Sequence, residues 1–160
     1  MSTDAQDTIE APGLPVVLHA QYVKDMSFEN PNAVEMLRPG LKAPEMDMNI
    51  NIEARKIDDG SDARVHEVLL SMNVAARRGD KTVFLAEVVY GAIVSLQKDV
   101  TDARAHPILF IEVPQLLFPY LRHVIALNTQ AGGYPPLMLN PIDFRAMYVQ
   151  RFAPKKEEAA

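Results

Sequence analysis

Two long apolar segments, residues 64–76 and 82–96, are separated only by Arg77-Arg78-Gly79-Asp80-Lys81, and nothing else in the chain limits its fold so strongly. Glycine beside aspartate supplies turn chemistry, so the pair reads as an antiparallel hairpin. A strand with one wet face alternates in polarity, whereas these segments are apolar almost throughout, which places them at the centre of a sheet. Val68, Leu70, Met72 and Val74 form one face of the first strand. In the second, Phe84, Ala86, Val88 and Tyr90 form one face and Leu85 and Glu87 the other. Parity does not say which faces coincide across strands.

Two further strand-like segments precede this hairpin. Met46, Met48, Ile50 and Ile52 alternate with Asp47, Asn49, Asn51 and Glu53, the signature of a sheet that packs on one side and meets water on the other. The first segment is less regular: Leu18, Ala20, Tyr22, Met26 and Phe28 are expected on one face, with Val23 and Lys24 breaking the pattern. After the strands, a helix is expected from Pro114 or Pro119 to Gly132-Gly133. Proline is tolerated in a first turn, and glycine closes a last one. Its stripe of Leu116, Leu117, Tyr120, Leu121, Val124, Ile125 and Leu127 is too broad for one contact, which points to a second packed surface. A final helix is read with Asn140 as N-cap, Pro141 at N1, and Ile142, Tyr148, Val149 and Phe152 along one side. Strands followed by helices argue for an α+β fold.

The chain has 160 residues, 48% of them hydrophobic, enough for one core and one domain. Residues 16–152 are expected to form it, with residues 1–15 and 153–160 as flexible tails of small and charged residues. Sixteen basic against 21 acidic side chains give a net charge of -5, which favours a basic partner over nucleic acid or an anionic membrane. No cysteine is present, which removes disulfides, thiolate zinc sites and cysteine nucleophiles. The acidic start, with Lys24 as its first basic residue, is unlike a secretory leader, so a cytoplasmic location is expected. The apolar stretch 108–121 is interrupted by Glu112, Pro114, Gln115 and Pro119, so no direct membrane insertion is expected.

Chemistry-bearing motifs are sparse. His19, His66, His106 and His123 are scattered without metal-ligand spacing, and His66 and Glu67 are strand neighbours that point to opposite faces. Neither a metal site nor a cofactor is expected. The seven glycines form no phosphate loop, so an ATP-driven cycle is unsupported. Arg77, Arg78 and Lys81 read as a solvated hairpin tip. Met46, Met48, Met72, Met138 and Met147 serve either as core filler or as an adaptable surface.

Several blocks resemble one family in the same order: Tyr22-Val23-Lys24-Asp25-Met26-Ser27-Phe28-Glu29-Asn30-Pro31-Asn32-Ala33, Phe84-Leu85-Ala86-Glu87-Val88, Leu116-Leu117-Phe118-Pro119-Tyr120-Leu121-Arg122, Asn128 to Tyr134, and Leu137-Met138-Leu139-Asn140-Pro141-Ile142-Asp143-Phe144. Over roughly residues 16 to 152 the chain is similar to SecB, the bacterial protein-export chaperone. The resemblance implies a four-stranded antiparallel sheet with two helices on one face, assembled as a homotetramer, a dimer of dimers. It implies no enzyme activity. The chain would be an ATP-independent holdase that binds unfolded precursor proteins and delivers them to the SecA motor for export through the Sec translocase.

The family's SecA-docking positions correspond here to Asp25, Glu29, Leu85 and Glu87. Client-groove candidates are Phe28, Met36, Leu37, Leu41, Tyr134 and Phe144, although the chain lacks tryptophan and its loop carries Met and Leu where an aromatic wall is typical. Candidates for subunit contacts are Ala86, Val88, Tyr90, Leu117, Leu121 and Val124. Two other readings stand beside this one. The first is a small α+β enzyme or ligand carrier with an apolar cavity and His66 or His123 as acid/base; the second is a SecB-like chaperone that guards a toxin-antitoxin pair.

Overall fold

The computed structural model describes residues 13–154. Most of both expected tails, residues 1–12 and 155–160, lies outside them. Pro15, expected in the first tail, instead accepts a hydrogen bond from the Gln97 backbone N–H and is tied to the sheet.

Four antiparallel strands, β1 (Val16–Glu29), β2 (Glu45–Ile57), β3 (Arg64–Arg78) and β4 (Lys81–Leu96), lie in the order β1-β4-β3-β2. The two long apolar segments are central, as their composition requires. Gly79 at φ 63 takes the first central position of the two-residue β3–β4 turn, where a tight hairpin needs glycine. Because β1 and β2 sit at opposite edges, their connection crosses the end of the central hairpin, and it carries the short helix α1 (Ala33–Met36). The basic turn fastens this crossover rather than standing free in water. Arg78 donates to the carbonyls of Lys42 and Met36, and Lys81 pairs with Glu35.

The even-numbered residues of β2, β3 and β4 share the face that packs under the helices, where Val68, Leu70, Val74, Ala86, Val88 and Ala92 are fully buried. β1 departs from the expected pattern. Register shifts after Leu18 and after Val23 put Ala20 and Tyr22 on the outer face, while Leu18, Met26 and Phe28 stay on the helix side. Each shift adds a residue and reverses the parity of the strand beyond it.

The helix starts well before the expected prolines. One helical run extends through α2 (Asp102–Pro107), a wide π segment (Ile108–Glu112) and α3 (Val113–Ala131). Thr101 caps it, its side chain accepting from the Arg104 N–H. Pro107 is absorbed because the wide turn comes directly after it, and looser i→i+5 bonding accommodates a missing donor. This 30-residue run is long and apolar enough to cross a membrane, and the interruptions do not break it; half of its most apolar window is buried against the protein's own sheet. Val113, Leu117, Leu121 and Ile125 lie one above another and fill the core.

At the end of α3, buried Thr129 donates to helix carbonyls and accepts from the Leu137 N–H at 2.9 Å, anchoring the extended return segment. The last helix, α4 (Phe144–Phe152), begins later than expected. Asp143, not Asn140, is the N-cap, with its carboxylate 2.9 Å from the Ala146 N–H.

Candidate functional site

Two surface features stand out, an acidic plate on the outer sheet face and an apolar trough beside β2. The plate is assembled by register. Glu29 stands opposite Leu85, Ser27 opposite Glu87 and Asp25 opposite Val89, so Asp25, Glu29, Leu85 and Glu87 occupy adjoining rungs of the outer face. The three carboxylates are exposed and Leu85 is half-buried. Carboxylates around an aliphatic patch fit a basic, partly apolar partner segment.

Next to the plate lies a buried acid. Glu67 is only 6% exposed, yet its carboxylate accepts from the Tyr22 hydroxyl at 2.5 Å, Lys24 Nζ at 3.0 and 3.2 Å, and Arg55 Nε at 2.8 Å. The hydrogen bonds from Tyr22 and Arg55 hold its pKa down at about 2. Burial, and next the bond to Glu67, pushes the Tyr22 hydroxyl up to about 12.

The trough runs along the helix side of β2. Met48, Asn49, Ile50, Met72, Leu139, Asn140, Pro141 and Ile142 surround about 300 Å³ of it. A further 240 Å³ is walled by Ile50, Asn51, Ile52, Phe110, Met147, Tyr148, Gln150, Arg151 and Phe152, so the two cavities meet at Ile50. Its aromatic end is built tightly. His106 stacks on Phe110 at 4.6 Å and bonds the Tyr148 hydroxyl at 2.8 Å. The Arg151 guanidinium covers Phe152 at 4.9 Å and donates to the Ile52 carbonyl at 2.8 Å. Because β2 is an edge strand, backbone groups on its open side remain available beside these apolar walls.

The expected groove residues separate. Phe28 and Tyr134 join Phe84 in an aromatic row with centroid spacings of 5.6 and 5.4 Å, and Leu37 closes the bay against Gly133. Asn30 braces it, donating to the Gly132 carbonyl and accepting from the Tyr134 hydroxyl at 2.6 Å. A Cβ on Gly132 would lie 2.5 Å from the Phe28 ring, so glycine admits the ring there. Met36 and Phe144 are sealed in the core, and Leu41 lies apart beside the β3–β4 turn.

The subunit-contact candidates also need correction. Ala86, Val88, Leu117 and Leu121 fill the interior of the single chain, and Tyr90 is buried against Tyr120. Val124 alone is half-exposed. The apolar side of α3 that does face outward carries Tyr120 and Leu127. His66 and His123 belong to different elements; burial lowers the pKa of His66 and its ring approaches the Arg64 carbonyl, while His123 is exposed on α3. Among the described residues no cluster of side chains suits a metal ion.

An edge strand flanked by an apolar trough, with a charged plate on the other face of the sheet, fits the class of polypeptide-binding proteins of α+β fold. The model of the preprotein translocase subunit SecB family matches residues 10–155, and the chain belongs to that family. Among its relatives, the protein-export protein SecB of Rhodospirillum centenum is 45% identical over 87% of this chain and 80% of its own length. That of Maricaulis maris is 43% identical over 99% of this chain and 91% of its own. The solved SecB-like chaperone of Mycobacterium tuberculosis, in complex with a ChAD peptide from an antitoxin, shares the fold at a TM-score of 0.61 and 15% identity, covering 80% of this chain and 91% of that one. The protein is therefore a non-enzymatic export chaperone, and its family implies preprotein clients and interplay with SecA.

Proposed function

We propose that this protein holds unfolded precursors in the trough along β2 and engages SecA through Asp25, Glu29, Leu85 and Glu87. The carrying observation is that two apolar cavities share the Ile50 wall beside an edge strand, leaving side-chain pockets next to a strand with one unpaired side. Only a non-native chain offers both extended backbone and exposed apolar side chains, so folding removes the ligand and no nucleotide is spent. Met48, Met72 and Met147 can repack around dissimilar side chains, which suits clients of unrelated sequence. The aromatic bay of Phe28, Tyr134 and Leu37 extends the client surface when Leu37 moves aside.

The family resemblance, the acidic composition and the apolar outer side of α3 support a cytoplasmic homotetramer, a dimer of dimers. Val124, with Tyr120 and Leu127, is the surface assigned to assembly.

The test mixes the purified protein with a denatured secretory precursor and tracks refolding. Suppressed refolding, with no binding to the native precursor, is expected; saturation by one compact small molecule would instead indicate a ligand carrier. In the same assay, Asp25→Lys with Glu87→Lys abolishes SecA binding and leaves client holding intact. Equal loss of both activities refutes the division between plate and trough.

A further inference from the structure

Beyond Tyr22, the acidic plate faces outward because β1 contains an extra residue. Tyr22 stands opposite Gly91 on the outer face, so a regular strand continuing from it would turn Lys24, Met26 and Phe28 outward and Asp25 and Glu29 toward the helices. The shift between Val23 and Asp25 reverses this, and Lys24 is the inserted residue.

Glu67 grips both sides of that insertion. Tyr22 precedes the shift and Lys24 sits within it, and both reach across β4 to the same carboxylate on β3. The crossing depends on Gly91, where a Cβ would lie 2.7 Å from the Tyr22 ring. Arg55 on β2 completes the set from the other side at 2.8 Å. A buried, paired carboxylate adds little net stability over an apolar residue of similar size, but its bonds can be satisfied in only one strand register.

We propose that Glu67 is a positioning residue for the plate: by holding Tyr22 and Lys24 it fixes the bulged register of β1 that turns Asp25 and Glu29 outward. Its consequence for SecA rests on the proposal that the plate docks SecA; its geometric content does not.

The cysteine-free chain permits a direct test by disulfide trapping. In the bulged register Ser27 faces Glu87, so Ser27→Cys with Glu87→Cys crosslinks. Without the bulge Met26 takes that place, and Met26→Cys with Glu87→Cys crosslinks instead. In an otherwise native background only the first pair should bridge. Adding Glu67→Gln should reverse the register preference, lowering the yield of the first pair about tenfold and making the second pair bridge in its place. Unchanged trapping in both pairs overturns the proposal. Should Glu67→Gln fail to fold, Tyr22→Phe with Lys24→Met removes both β1 donors and carries the same two outcomes. SecA binding is measured on Glu67→Gln without the cysteines. A slipped register with weakened binding supports both readings. A slipped register with native binding leaves Glu67 in its role and sinks the plate.

Discussion

Substitution at Val88 separates a core position from a subunit contact. The side chain is 1% exposed, faces the helices, and stands between Met26 and Met72 on the neighbouring strands. Val88→Ala deletes two buried methyl groups at about 0.8 kcal/mol each, and the cavity raises the loss to roughly 2 kcal/mol. With a urea slope of about 2 kcal/mol per molar, the unfolding midpoint should fall by about 1 M. Val88→Asp is more severe. An unpaired carboxylate there costs several kcal/mol, comparable to the roughly 5–15 kcal/mol that holds a domain together. Circular dichroism during urea titration at two protein concentrations gives the answer. If Val88→Asp splits an assembly into subunits that keep the native midpoint, the core placement is refuted.

The trough and the buried acid lead to further outcomes. Met48 is 52% exposed on the trough wall, so Met48→Asp should leave the fold intact while weakening client holding about tenfold, as an unpaired charge set against apolar client side chains costs on the order of 1–3 kcal/mol; unchanged suppression of refolding removes this wall from the site. Glu67 has a folded pKa of about 2, below its ordinary 4.5, so its contribution is fully present above about pH 5 and fades as pH falls toward 2. Glu67→Gln should flatten that acid limb in urea midpoints taken against pH. Tyr22, raised from 10.0 to about 12, contributes below pH 10 and loses its contribution as pH rises toward 12, a limb that Tyr22→Phe should abolish.

The central strands are legible in the sequence because they are apolar almost throughout, and β2 because one period runs through it and residue type separates its wet from its dry positions. β1 is not, since its two register shifts leave no mark on local polarity beyond the awkward Val23-Lys24. The helix start is hidden by Pro114 and Pro119, which read as boundaries although the helix runs through both, and a wide turn after Pro107 carries it past that proline as well. Asn140-Pro141 imitates a helix start, but the cap falls to Asp143 because the return segment stays extended until its Leu139 is buried. Ala86 and Val88 read as subunit contacts because parity shows that they share a face, not that helices cover it. The trough joins alternate residues of β2 to α4, far apart in the chain. Its one local signal is the alternating apolar row Met46, Met48, Ile50 and Ile52.

The strand order also governs how this chaperone acquires its own shape. β2, β3 and β4 form a meander that can zip together as the ribosome delivers it, but β1 has nothing to pair with until β4, from Leu85 to Leu96, has been made. The first strand made is thus the last to dock. Until then the nascent chain displays an unpaired, partly apolar edge, the condition that its clients present to it.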